Sequence, residues 1–304
     1  MDSLNDEKIH ALVDHAIEAP DEPLGVYLFD LSEQGSELAM AVERAVFLEV
    51  FGNTKDLLDK EYRDYESASV FLVVIDHRRH VPAGAMRVLV PSPAGFKTFN
   101  DAAAVWGIPA QAMIDQTGLV LDRSATWDIA TLAVSPDYRG KATTGLVTIG
   151  LFQGLTMMAW RLGVEWLIAT LDLPVFRMIR WKLHMSFSGF AGVAAAPYLG
   201  SRASLPVWCC VNEGKKLLAD NDPVLHDLLF HGSGMEAAIR PLDIQRGMDR
   251  IADLMRSFGT GTSCGSGPTC SEAVGGARPI GRKVVPNSAS AAASWLVREP
   301  FSNP

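Results

Sequence analysis

Cysteine is scarce in this chain: Cys209, Cys210, Cys264 and Cys270 are the only four in 304 residues. Cys209 and Cys210 are adjacent in an apolar run, where a strand turns neighbours to opposite faces. None stands at a metal-ligand spacing and no histidine cluster completes one, so no metal is expected. Positive charge is also short, with 27 Lys and Arg against 35 Asp and Glu, a net charge of -8 and a pI near 5.4. That balance excludes the broad basic face of a nucleic-acid binder, while a local basic pocket for a phosphorylated ligand is compatible with it. The opening MDSLNDEKIHALVDH lacks a basic segment followed by an apolar core, so no secretory signal is read and a cytoplasmic location is expected. There is no Ser-centred nucleophile elbow, and neither Cys209 nor Cys210 has a base near it in sequence, which disfavours a covalent mechanism. No internal repeat is visible.

What is present is an ordinary globular balance, 48% hydrophobic and 20% charged, enough for a sizeable core. From Ala142 to Trp160 no residue is charged, and Lys141 and Arg161 flank the stretch. It has about the length of a membrane span and carries a Gly150/Gly154 pair. Four threonines, three glycines and Gln153 dilute it, and strand-like segments adjoin both ends. A helix buried in an α/β core is therefore expected, with no membrane contact.

The pattern divides the chain into an N-terminal helix and linker (1–22), one domain with C-terminal helices (23–258) and a Gly/Ser/Ala/Pro-rich tail (259–304) read as flexible. Strands are expected at 24–31, 70–76, 83–90, 126–134 and 164–171, with others near 190–198 and 206–211. The 70–76 and 83–90 runs flank a polar turn, as in a hairpin. A helix capped by Ser32 runs to about Val50 and ends at Gly52. Short helices are expected near 99–106 and 109–115, another from Pro174 to about His184, and two last ones over 215–230 and 235–258.

A strand over 126–134, a turn holding Arg139, Gly140 and Lys141, then a helix make a phosphate-binding arrangement on physical grounds. A helix start exposes unpaired N–H groups and favours an anion, and glycine lets the backbone approach closely. The run Leu132-Ala133-Val134-Ser135-Pro136-Asp137-Tyr138-Arg139-Gly140-Lys141 resembles the cofactor motif of the GNAT acyltransferases. The resemblance implies a mixed α/β (α+β) fold, with a mostly antiparallel central sheet flanked by helices and a splayed cofactor-binding strand pair. It also implies that Leu132, Ala133 and Val134 bind the pantetheine arm, and Arg139, Gly140, Lys141, Ala142, Thr143 and Thr144 the pyrophosphate. Ala142 and Thr144 stand where the family usually has two small residues, and Thr144 is a departure.

A second resemblance spans about 24–211. Arg44-Ala45-Val46-Phe47, Glu61 with Asp64-Tyr65, Gly84 with Arg87, and Asp128 with Thr131 are similar to motifs of the autoinducer synthases and long-chain N-acyl amino acid synthases. It implies a donor thioester on coenzyme A or acyl carrier protein, a small-molecule amine acceptor such as an amino acid, and a charged cluster of Arg44, Glu61, Asp64 and Arg87. Thr131 replaces an Arg of the autoinducer synthases. Strand alternation puts Thr126, Asp128 and Ala130 on one face. Asp128 is the first choice of general base and Glu61 the second, with Arg44, Asp64 and Arg87 at the acceptor end. An amine is mostly protonated at neutral pH, so a base is useful. A non-catalytic protein that binds the thioester as a sensor or scaffold is the rival reading.

Overall fold

The computed structural model describes residues 6–16, 21–139 and 145–258. A first helix, α1 (Asp6–Ala16), precedes β1 (Leu24–Asp30) and α2 (Gly35–Phe51). Gly52 takes the left-handed conformation that ends α2. Ser32 does not cap α2; its hydroxyl and its N–H donate to Asp30 instead, and the helix starts after Gln34 with no side-chain cap. The charged run after Gly52 is helical, as α3 (Lys55–Tyr62) and one 3-10 segment, Arg63–Ala68. Then come the hairpin β2 (Ser69–Asp76) and β3 (Val81–Leu89), α4 (Lys97–Trp106), α5 (Ala110–Thr117) and β4 (Thr126–Val134).

The charge-free stretch is α6 (Leu146–Arg161), followed by β5 (Trp166–Asp172) and α7 (Leu173–Lys182). Short strands β6 (Ser188–Gly189) and β7 (Ala196–Tyr198) lead to β8 (Ser201–Cys210). Where two final helices were expected there are three, α8 (Val211–Asn221), α9 (Pro223–His231) and α10 (Ile244–Ser257), with β9 (Ile239–Arg240) before the last. Asp222 breaks the first of the expected pair: its side chain accepts from the Leu225 N–H and starts a new helix at Pro223.

One sheet runs in the order β6-β8-β5-β4-β3-β2-β1-β9, with β7 on β8. Only β4–β5 and β1–β9 are parallel; every other pair is antiparallel. One face packs on α1, α2, α4 and α5, the other on α6, α8, α9 and α10. Gly150 and Gly154 let α6 lie close on the sheet: a Cβ at Gly150 would stand 2.5 Å from Ile239, and one at Gly154 3.1 Å from Leu72. The charge-free segment is thus buried by the sheet, and among the described residues no helix is long and apolar enough to cross a membrane.

Candidate active site

The parallel pairing of β4 with β5 runs only from Thr126 opposite Trp166 to Ile129 opposite Ala169. At the same level β4 slips against β3: Val88 faces Ile129 but Arg87 faces Thr131, leaving Ala130 as an extra residue. Such a bulge bends a strand and sharpens its twist. Beyond it Leu132, Ala133 and Val134 stay paired with β3, and Thr170, Leu171 and Asp172 with β8. Among the described residues no strand bridges the two inner edges past Ile129. The Tyr62 hydroxyl donates to the Ala130 carbonyl at 3.2 Å, so the bulge is held by a side chain from α3. On the diverging part of β5, Thr170 Oγ1 is buried without a hydrogen-bond partner.

The bulge also resets the strand's alternation. Thr126 and Asp128 share a face as expected, but Thr131 takes the place next in line, in register with Arg87, where simple alternation put Ala130.

At the end of β4 the chain turns through one 3-10 segment, Pro136–Tyr138. The buried Tyr138 hydroxyl donates to Asp76 Oδ2 at 2.7 Å, and Asp76 Oδ1 accepts the backbone N–H groups of Arg78 and Arg79. Arg79 in turn pairs with Asp137 at 2.9 Å. The polar turn of the hairpin therefore braces the turn after β4. Arg139 folds back, its Nε donating to Val134 O at 2.6 Å and its Nη2 standing 3.5 Å from Glu49. Gly140, Lys141, Ala142, Thr143 and Thr144 lie outside the described residues, as does 259–304.

The charged residues form three groups. Arg87, 4% exposed, donates from Nε and Nη2 to the two oxygens of the buried Glu43, at 3.0 and 2.5 Å. Its guanidinium stacks on Tyr62 and Phe71 at 4.4 and 4.8 Å. Burial opposes the Arg87 charge, but the Glu43 carboxylate outweighs it and holds the guanidinium above its usual range. Arg44 pairs instead with Asp59 at 2.9 Å, half-exposed, and Asp64 is exposed. Glu61 accepts from Lys97 Nζ at 2.7 Å, and Asp101 lies 2.9 Å from the same nitrogen.

Lys97, Glu43 and Asp101 did not stand out in the sequence. Lys97 opens α4 and is 4% exposed; its ammonium lies 5.3, 5.9 and 6.0 Å from the rings of Tyr62, Tyr65 and Tyr198. Burial lowers its proton affinity, but the Glu61 and Asp101 carboxylates more than compensate, so it stays charged. The Tyr198 hydroxyl donates to Asp101. Lys97→Met leaves two half-buried carboxylates without a cation and should cost about 2 kcal/mol, below the 3–5 of a fully enclosed pair; urea unfolding measures it.

Asp128, on β4, is fully buried. One oxygen accepts the Thr98 N–H at 2.8 Å and the other the Thr98 hydroxyl at 2.8 Å, at the first turn of α4. Burial pushes the carboxyl up to about 7, against the lowering effect of the two Thr98 hydrogen bonds. A carboxyl with that affinity exchanges its proton near neutral pH, as a general base requires.

These elements define a mixed, mostly antiparallel sheet flanked by helices, parted at its central parallel pair. No family model matches the chain, and no curated protein matches it in sequence. Solved structures do. A CoA-dependent acyl-homoserine lactone synthase, BjaI, with SAM and isopentyl-CoA, is 12% identical over 75% of this chain and 97% of its own, with a TM-score of 0.45. FeeM, an N-acyl amino acid synthase from uncultured soil microbes, is 10% identical over 65% of this chain and 97% of its own, at 0.47. A putative N-acetyltransferase from Lactobacillus plantarum is 13% identical over 62% and 99%, at 0.41.

Proposed function

We propose that the protein is an N-acyltransferase that moves an acyl group from a coenzyme A or acyl-carrier-protein thioester to a small amine such as an amino acid. The observation that carries this reading is the parting of β4 from β5 at the Ala130 bulge, beside a carboxyl with a proton affinity near neutrality. The residues present suit a pantetheine arm: an open strand edge at Leu132, Ala133 and Val134 would bond its amides, and the orphaned Thr170 hydroxyl lies on the facing strand. Arg139, Gly140, Lys141 and the backbone through Ala142, Thr143 and Thr144 would take the phosphates.

In the reaction so read, the acceptor amine gives a proton to Asp128, directly or through water, and its nitrogen attacks the thioester carbonyl. A backbone N–H of 132–134 meets the developing oxyanion. The C–N bond forms, the C–S bond breaks, and the surplus proton on the new amide nitrogen passes to the departing thiolate. Glu61, Asp64, Arg44 and Arg87 shape the acceptor end, with Glu61 tuned by Lys97.

A second reading is a non-catalytic thioester binder, favoured by the full enclosure of Asp128, both of whose oxygens are already engaged by Thr98. Thiol release separates the two: with acyl-coenzyme A donors from acetyl to palmitoyl and a panel of amines, the enzyme frees thiol with at least one pair, whereas a binder frees none. Arg139→Glu should weaken donor binding by at least about tenfold, since it places a negative charge where phosphates would sit. Unchanged donor affinity in native mass spectrometry would remove the cradle from this assignment.

A further inference from the structure

Away from the parted strands, on the opposite side of the sheet, the fold gathers ligands that the sequence reading did not connect. We propose that His226, Asp227 and His231 form a binding site for a divalent transition-metal ion of the zinc class at the C-terminal end of α9. One donor atom from each residue lies within 4.8 Å of the other two. The imidazole rings are 5.2 Å apart, and Asp227 Oδ1 is 2.9 Å from His226 Nδ1. Two ligands on one zinc, each about 2.0–2.2 Å from it, stand about 3–3.5 Å apart, so rotation of the exposed Asp227 and His231 side chains closes the set.

The backbone beneath them is fixed. Gln153 donates to the Leu228 carbonyl at 2.8 Å and Thr156 to the Leu229 carbonyl at 2.6 Å, tying the last turn of α9 to the buried α6. One ring is restrained as well: the half-buried His226 stacks on Phe230. A helix C-terminus favours a cation, and two imidazoles with one carboxylate suit zinc, nickel or copper far better than magnesium. The neighbouring positive charge of Lys215 lies over the Trp160 ring at 3.1 Å. The i, i+5 spacing of the two histidines is not that of a metal pair on a continuous helix, where i and i+4 share a face. Here α9 ends at His231 and the left-handed Gly232 follows, so the turn and not the helical repeat sets the approach.

The test is isothermal titration of Zn2+ into the untagged, chelator-treated full chain, with thermal melting alongside. The wild type should take up zinc with a stoichiometry of one and melt higher with it, and should show no heat with Mg2+. The His226→Ala/His231→Ala variant should lose both effects. Asp227→Asn, a change of one exposed atom, should weaken binding by at least the roughly tenfold that loss of an outer-shell partner brings. Should the double variant fail to melt cooperatively without metal, Asp227→Asn decides. No uptake by the wild type, or isotherms that the substitutions leave unchanged, would overturn the site.

Discussion

Asp128→Asn should leave the protein more stable at pH 8 and, under the proposed function, slow acyl transfer by about 10²- to 10⁴-fold, the usual worth of a positioned base. Asp128 is fully buried and its carboxyl is raised from 3.8 to about 7, so the folded state holds this proton more tightly than the unfolded chain. Its contribution to stability is full below about pH 3.8 and is lost as the pH rises to about 7. At pH 8 the folded protein carries an enclosed carboxylate, and the penalty is on the order of 4 kcal/mol at about 1.4 kcal/mol per pH unit.

Asparagine removes the charge and keeps both contacts, its oxygen accepting from the Thr98 N–H and its amide donating to the Thr98 hydroxyl. Urea unfolding at pH 5 and pH 8 should show the variant's advantage growing between the two. An advantage independent of pH would mean that this carboxyl titrates in the ordinary range. In the wild type, kcat/KM should climb with pH through about 7 as the base ionises. A variant that is stabilised and fully active would transfer the role of base to Glu61.

Arg87→Met should destabilise the fold by about 3–5 kcal/mol. The substitution strands the Glu43 carboxylate at a site where the side chains of the pair are 3% and 5% exposed. Arg87→Lys should recover little, because an ammonium cannot donate in parallel to both oxygens or stack between Tyr62 and Phe71. Glu43→Met/Arg87→Met should recover most of the loss, since two apolar side chains need no desolvation offset. Thermal and urea unfolding of the wild type, Glu43→Met, Arg87→Met and the double variant gives the coupling directly. A single-variant loss under about 1 kcal/mol would show that water reaches the pair.

The strands were legible because their signal is local. VFLVVID is a continuous apolar run, AGAMRVLV returns after a polar turn, and the two form the hairpin β2–β3. The succession of β4, turn and α6 was legible for the same reason, and so was the burial of the charge-free helix, once its glycines are seen as contact points for the sheet. Helix starts were less so: Ser32 satisfies the local rule for a cap, yet Asp30 is close enough to claim both its hydroxyl and its N–H.

What tertiary structure decided was partnership. Glu43 and Arg44 are neighbours in α2, and consecutive residues on a helix point about 100° apart, so only the docking of α2 on the sheet turns Glu43 to the buried Arg87 and Arg44 outward to Asp59. Glu61 drew attention in a charge run, but Lys97, which holds it, lies 36 residues away at the start of another helix. The Ala130 bulge, the parting of β4 from β5 and the meeting of His226 with His231 depend on register and on where an element stops. Most strands and the buried helix α6 were legible in the sequence, because hydrophobic periodicity and turn chemistry act over a few residues. The site was decided by the fold, because charges and strand edges choose partners by distance in space.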